Sequence, residues 1–247
     1  MAGAPSGASA ASGYLLETPG VTLLIDCGPG VVAALAKRDK LRKLDAVIIS
    51  HRHADHCADL VALAYARLFP KPLPPLPLFG PTDMLPVIEG LNALFAIPSL
   101  PSLRQPLSAA LPFTPLAPEQ RYDILGVALQ THRTQHPVET LAYKFPCVGL
   151  AYTADGRLTP ELIAFVTGCP TLLAEATYLA STEADLTTHG HMTSVDAARL
   201  AACSGAAQLI LTHFATSEQM KQSVREAQRC FGAARAAEPL ACITLPG

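Results

Sequence analysis

Charge is scarce in this chain: 15% of its 247 residues are Asp, Glu, Lys or Arg, and the formal net charge is −2. A near-neutral protein has no general attraction for nucleic acid or anionic membrane, where phosphate neutralisation dominates affinity. Any Cys-x-x-Cys pair is lacking too. The seven cysteines (Cys27, Cys57, Cys147, Cys169, Cys203, Cys230 and Cys242) are odd in number and scattered. That pattern argues against a disulfide framework and for a reducing compartment. No apolar run approaches a membrane span. Met1 to Gly13 is small and polar, with no basic region leading into an apolar one, so it does not read as a signal peptide. A soluble, cytoplasmic protein is expected. No internal repeat is convincing. What the chain does have is apolar mass: half its residues are hydrophobic, enough for a buried two-layer core.

Strands and helices alternate without an obvious linker, which suits a single large α/β domain spanning 1–247. Strand patterns fall at 14–18, 21–26, 44–50, 122–131, 140–145, 147–153, 170–175, 207–212 and 239–244, and helical ones at 30–38, 58–68, 82–95, 159–167, 193–204 and 217–231. Thr193-Ser194-Val195-Asp196 reads as an N-cap with an acidic third position. Residues 69–118 are crowded with proline, which breaks regular elements and favours rigid extended loops. The Leu and Phe content of this segment points to a packed cap or insert, or to a dimer contact, rather than a disordered one.

The most informative stretch is His51-Arg52-His53-Ala54-Asp55-His56, directly after the apolar strand pattern Leu44 to Ile49. Imidazoles suit zinc and similar metals, and a carboxylate adds a hard ligand. Four such groups within six residues, on a turn that splays them, fit two adjacent ions better than one. A solvated polar loop needs no such spacing.

This H-x-H-x-D-H pattern resembles the metallo-β-lactamase fold superfamily of hydrolases. Other blocks extend the resemblance in the family's order. Asp26-Cys27-Gly28-Pro29-Gly30 resembles its Asp-x-Gly turn, and His136-Pro137-Val138-Glu139 its next ligand segment. Ala151-Tyr152-Thr153-Ala154-Asp155 resembles the strand ending in a bridging Asp, and Leu209-Ile210-Leu211-Thr212-His213 the strand delivering the last His. The resemblance implies a four-layer αββα sandwich. It also implies two divalent ions, zinc first and manganese or iron as alternatives because their ligand types overlap. His51, His53 and His136 would serve one ion, Asp55, His56 and His213 the other, with Asp155 as the bridge. Two such ions lower the pKa of a shared water, and the bridging hydroxide is the nucleophile. Asp55 thus counts among the catalytic residues as well as the ligands. Asp26 has two readings, a residue that holds a ligating His or a stabiliser of the Gly28-Pro29-Gly30 turn.

Within the superfamily, Ala174-Glu175-Ala176-Thr177 and Gly190-His191-Met192-Thr193-Ser194 resemble the Glu-Ala-Thr and His-x-Thr/Ser blocks of ribonuclease Z and related phosphodiesterases. The likeness implies that His191 assists the scissile phosphate and that Glu175 orients it, with His189 as the rival. Ribonuclease Z usually carries a His where this chain has Ala174. It also has a basic, Gly-rich arm for transfer RNA, whereas residues 69–118 hold only Lys71 and Arg104 as basic residues. A small phosphodiester such as a cyclic nucleotide is therefore the expected substrate, transfer RNA and membrane are not expected partners, and a homodimer is conceivable. The start, Met1 to Gly13, resembles only the Gly-rich turn of relatives that begin with an extra strand, a loss that would expose a sheet edge. Two alternatives stand beside this reading. One is a hydrolase of a carbon ester, thioester, lactone or β-lactam on the same fold, or a ribonuclease Z-like endonuclease. The other is a non-catalytic descendant that binds metal or a partner.

Overall fold

The computed structural model describes residues 1–7, 9–180 and 190–245, so His189 lies outside the described residues. The chain divides into two compact units: an N-terminal unit, residues 9–117, and a C-terminal unit, residues 118–247 with 1–8.

The N-terminal unit begins with β1 (Tyr14–Thr18), which pairs antiparallel with β2 (Val21–Ile25). Then come α1 (Val31–Lys37), β3 (Ala46–Ile48), α2 (Ala54–Cys57), α3 (Leu60–Leu68), β4 (Leu78–Gly80), α4 (Leu85–Phe95), α5 (Pro106–Ala110) and β5 (Phe113–Pro115). The sheet order is β1-β2-β3-β4-β5, and every pairing after the first is parallel. Parallel strands are covered on both faces, and their sequences accordingly lack alternation. Leu23, Leu24, Ile25, Ala46, Val47, Ile48 and Ile49 are all buried. Helix α3 buries Leu60, Leu63 and Leu68, each contributing about 1.5–3 kcal/mol on removal from water.

Two expectations change in this unit. The helix expected from 58 is preceded by the separate turn α2, so Asp55 and His56 stand on helical backbone rather than on a loop. The proline-rich segment carries more than the helix expected at 82–95 (α4): it also supplies β4, α5 and β5. Prolines in these elements occupy positions where a missing N–H costs little. Pro86 and Pro106 lie in first helical turns, and Pro115 lies in the edge strand β5. Leu76, Leu78, Met84, Leu103, Leu107 and Leu111 belong to the unit's own core.

The C-terminal unit starts with β6 (Arg121–Ile124) and β7 (Val127–Arg133), then β8 (Leu141–Phe145), β9 (Leu150–Tyr152), α6 (Pro160–Val166), β10 (Thr171–Glu175), α7 (Ser194–Ser204), β11 (Gln208–Thr212), α8 (Gln219–Gln228) and β12 (Ala234–Ala236). Its sheet runs β12-β11-β10-β9-β8-β7-β6, parallel as far as β9 and antiparallel beyond. The strand expected over 122–131 is a hairpin, because Leu125 and Gly126 both take positive φ (56° and 89°) and turn the chain. The strand expected at 239–244 is not formed; β12 lies earlier. Thr193 accepts from Asp196 N–H while Asp196 accepts from the Thr193 backbone, the reciprocal cap its spacing suggested.

Each unit thus carries a mixed α/β sheet whose parallel strands end at the residues of interest. Asp26 follows β2 and Ser50 and His51 follow β3. Asp155 follows β9, Glu175 ends β10 and His213 follows β11. Loops beyond the carboxyl ends of parallel strands are where α/β proteins place their ligands.

Candidate functional site

In the N-terminal unit, Asp26 is the organising group. It is fully buried and takes φ +59°, a left-handed conformation that Asp tolerates better than most residues. Its Oδ1 accepts the Ser50 N–H at 2.7 Å, and its Oδ2 accepts the Ser50 hydroxyl at 2.9 Å and His56 Nδ1–H at 2.8 Å. Since the Ser50 hydroxyl gives its one proton to Asp26, its oxygen accepts from His51 Nδ1, 3.0 Å away. One carboxylate therefore fixes two imidazoles, His56 directly and His51 through Ser50. Both rings are left with Nε2 as the nitrogen that could ligate a metal, and outer carboxylates are known to orient metal-bound histidines in this way. Asp26 thus braces His56 directly and His51 through Ser50, the first of its two sequence readings. Gly28 has its own constraint: a Cβ there would lie 1.8 Å from the Asp55 carbonyl oxygen.

His51 and His53 bring one ligand atom each to within 4.8 Å. His56 Nε2 stands 3.6 Å from Asp55 Oδ2. Two donors held about 2.0–2.2 Å from a tetrahedral zinc lie roughly 3.4 Å apart, so the second separation suits a shared ion better than a direct hydrogen bond. Cys27 and Cys57 lie beside these candidate ligands in sequence. Burial, with a contribution from neighbouring carboxylates, pushes the Cys27 thiol well up and that of Cys57 to about 12.

The C-terminal unit repeats the device with different residues. Glu175 is buried and accepts the Gly156 N–H at 2.6 Å and the Thr177 hydroxyl at 2.5 Å. His191 Nδ1 lies 3.1 Å from both Glu175 oxygens. Having donated to Glu175, the Thr177 oxygen accepts from His213 Nδ1 at 2.8 Å. Glu175 is thus hydrogen-bonded to His191 directly and to His213 through Thr177. His213 Nε2 stands 3.4 Å from Asp155 Oδ2, again close to the edge of a tetrahedral site. His136 gives its Nδ1–H to the Gly190 carbonyl at 2.8 Å. Burial lowers the His136 pKa, favouring the neutral ring a metal requires, against the raising influence of the Gly190 carbonyl and Asp155. One donor atom each from Asp155, His191 and His213 falls within 4.8 Å.

Backbone strain gathers at the same places. Ala154, next to Asp155, and His213 take φ +52° and +57°. Such conformations cost of order 1–3 kcal/mol each and persist where the surroundings over-determine them. The chemistry of both donor sets, neutral imidazoles with anchored Nδ1 beside carboxylates, fits divalent transition metals. Ser50 and the Thr177 hydroxyl were not foreseen as functional. A hydroxyl residue directly before the His cluster, and another two residues after Glu175, were the available signals.

A family model described as the beta-lactamase superfamily domain matches residues 22–214. "Probable metallo-hydrolase YhfI" of Bacillus subtilis is 32% identical over 218 residues, 85% of this chain and 82% of that protein. A ribonuclease Z from a Bradyrhizobium strain is 25% identical and covers 94% of this chain and 93% of its own length. The crystal structure of YhfI, described as a metallo-beta-lactamase fold protein, superposes with a TM-score of 0.82 over 96% of this chain and 93% of that one, at 28% identity. With its ligand blocks in order, two mixed sheets and a family match over most of its length, the chain belongs to the metallo-β-lactamase superfamily of hydrolases.

Proposed function

We propose that this protein is a dinuclear-metal phosphodiesterase acting on a small nucleotide, of which a cyclic nucleotide is the type. His51, His53 and His136 would hold one ion and Asp55, His56 and His213 the other, with Asp155 as the carboxylate shared by both. The order of the blocks along the chain and the anchored imidazoles within each unit support this assignment. Zinc is the preferred metal. When bound, the ions supply a nucleophile at neutral pH and stabilise charge on the phosphoryl oxygens.

The observation that carries the phosphodiester reading is the His191–Glu175 pair. Hydrolysis of a carbon ester has no evident need of it. His191 points its Nδ1 at both carboxylate oxygens at 3.1 Å, which holds the ring's proton there and aims Nε2 away. Protonated, that imidazole both neutralises developing charge and can hand a proton to a departing alkoxide. The ribonuclease Z relative cleaves, by its name, a phosphodiester polymer. Among the 22 prolines and many apolar groups of this chain, the segment 69–118 offers only Lys71 and Arg104 to a phosphate backbone, so folded RNA is a poor substrate.

The test is a panel of cyclic nucleotides, aryl phosphodiesters, precursor transfer RNA, lactones and thioesters, assayed with the metal-loaded protein. Cleavage of cyclic nucleotides is expected to exceed the others. His191→Ala should lower kcat on alkyl phosphodiesters by about 10²–10⁴-fold with metal content intact, and much less on a nitrophenyl ester, whose leaving group needs no proton. Efficient processing of transfer RNA at physiological salt, or turnover confined to carbonyl substrates, would overturn the proposal.

A further inference from the structure

Helix α8 carries a buried acid that the metal chemistry does not use. Glu226 is 6% exposed and accepts hydrogen bonds from three neighbours among the described residues. Its Oε2 accepts the Ala180 N–H at 3.0 Å and the Ser194 hydroxyl at 2.7 Å, and its Oε1 accepts from Gln222 at 3.3 Å. Gln222 lies one turn away on the same helix, so it adds little constraint. The other two donors come from chain segments on either side of His191. Ala180 follows Tyr178, and Ser194 opens α7 three residues after His191.

Those two segments also meet through their backbones. Tyr178 and Thr193 form a parallel bridge, with the Tyr178 N–H donating to Met192 O at 3.4 Å and the Ser194 N–H to Tyr178 O at 3.1 Å. One bond is long and the bridge is isolated, so the backbone alone pins the pair weakly. Glu226 ties the same two segments together from outside, and it sits at the N-terminus of α7, where a carboxylate is electrostatically favoured. His191 hangs between the ties. Its ring meets the Tyr178 ring edge-on at 5.9 Å and the His213 ring at 5.6 Å.

We infer that Glu226 is a positioning residue: by clamping Ala180 to Ser194 it sets the placement of His191 against Glu175. The inference rests on the role proposed above for His191, and it adds a residue on a different helix whose effect must pass through that ring. Misplacing a catalytic group by about 1 Å can cost on the order of 10²-fold.

The test is a mutant cycle with the metal-loaded protein. Glu226→Ala should lower kcat on an alkyl phosphodiester by about 10–100-fold with KM nearly unchanged, and on a nitrophenyl phosphodiester by a few-fold at most. In a His191→Ala background it should cost nothing further. Glu226→Gln, which keeps an acceptor for both donors, should restore most of the rate. A readout free of turnover is hydrogen exchange: the Ala180 and Ser194 amides should lose protection in Glu226→Ala, while Ser50 should not. If Glu226→Ala misfolds, Ser194→Ala removes one tie and should show the same leaving-group pattern in weaker form. Equal losses on both esters, or an undiminished loss in the His191→Ala background, would overturn the inference. If the wild-type protein cleaves no phosphodiester, the functional reading fails instead, and the exchange measurement still judges the clamp.

Discussion

Replacing Asp26 by Asn isolates the role of one oxygen's charge with little change of volume. Asn accepts the left-handed backbone that Asp26 occupies at φ +59°, so the turn itself should survive. The hydrogen bonding cannot. The donors to Asp26 include the Ser50 N–H, the Ser50 hydroxyl and His56 Nδ1–H. An amide has one oxygen, and its nitrogen donates. Whichever way it is turned, a donor then faces a donor in a fully buried site, either at Ser50 N–H or at His56 Nδ1. Hydrogen bonds to a charged group are worth about 1.5–3 kcal/mol, and an unsatisfied buried group costs about 1–3 kcal/mol. A stability loss of about 3 kcal/mol is therefore expected for the metal-free protein. Turning the amide nitrogen towards His56 also frees that ring to move its proton to Nε2, the ligating nitrogen. Loss of such an outer carboxylate typically weakens metal binding by about 10–100-fold. Urea unfolding of the metal-free variant would measure the first effect. Zinc titration in competition with a chromophoric chelator would measure the second. Wild-type zinc affinity in a folded Asp26→Asn protein would refute the argument that Asp26 acts through His56 and His51.

Further outcomes follow from the same geometry. Asp155→Ala should cut the metal retained after dialysis by at least half by elemental analysis, because the carboxylate proposed to lie between two cations is gone; full retention would remove Asp155 from the ligand set. Gly28→Ala should destabilise the N-terminal unit by at least ~3 kcal/mol in urea unfolding, since its Cβ would overlap the Asp55 carbonyl at 1.8 Å and backbone must move. Thr177→Val should weaken zinc binding about 10-fold by uncoupling His213 from Glu175, and Thr177→Ser should largely restore it. A thiol reagent should titrate Cys147, Cys203, Cys230 and Cys242 rapidly in the native protein, and Cys27, Cys57 and Cys169 only after denaturation.

Sequence alone determined the family and which residues are candidates for the site. The density of His51, His53, Asp55 and His56 after a β-branched run, and the order in which His136, Asp155 and His213 follow, were legible because metal ligation needs particular side chains at strand ends, and apolar strands announce themselves. Helices α6 and α7 and strands β1, β2 and β10 were legible for the same local reasons. Helix α4 was legible despite Pro86, but the local signals failed where proline was read as a breaker only: α5 and β5 form because Pro106 falls in a first turn and Pro115 in an edge strand. The extra turn α2 was hidden because four residues carry too little periodicity to register. What only the tertiary structure decided was which groups hold the candidate histidines. Asp26 reaches His56 across thirty positions and His51 through Ser50, while Glu175 reaches His213 through Thr177. Hydrogen bonds between residues so far apart leave no spacing in the chain, because their distance is set by which strands lie side by side and not by how many residues separate them.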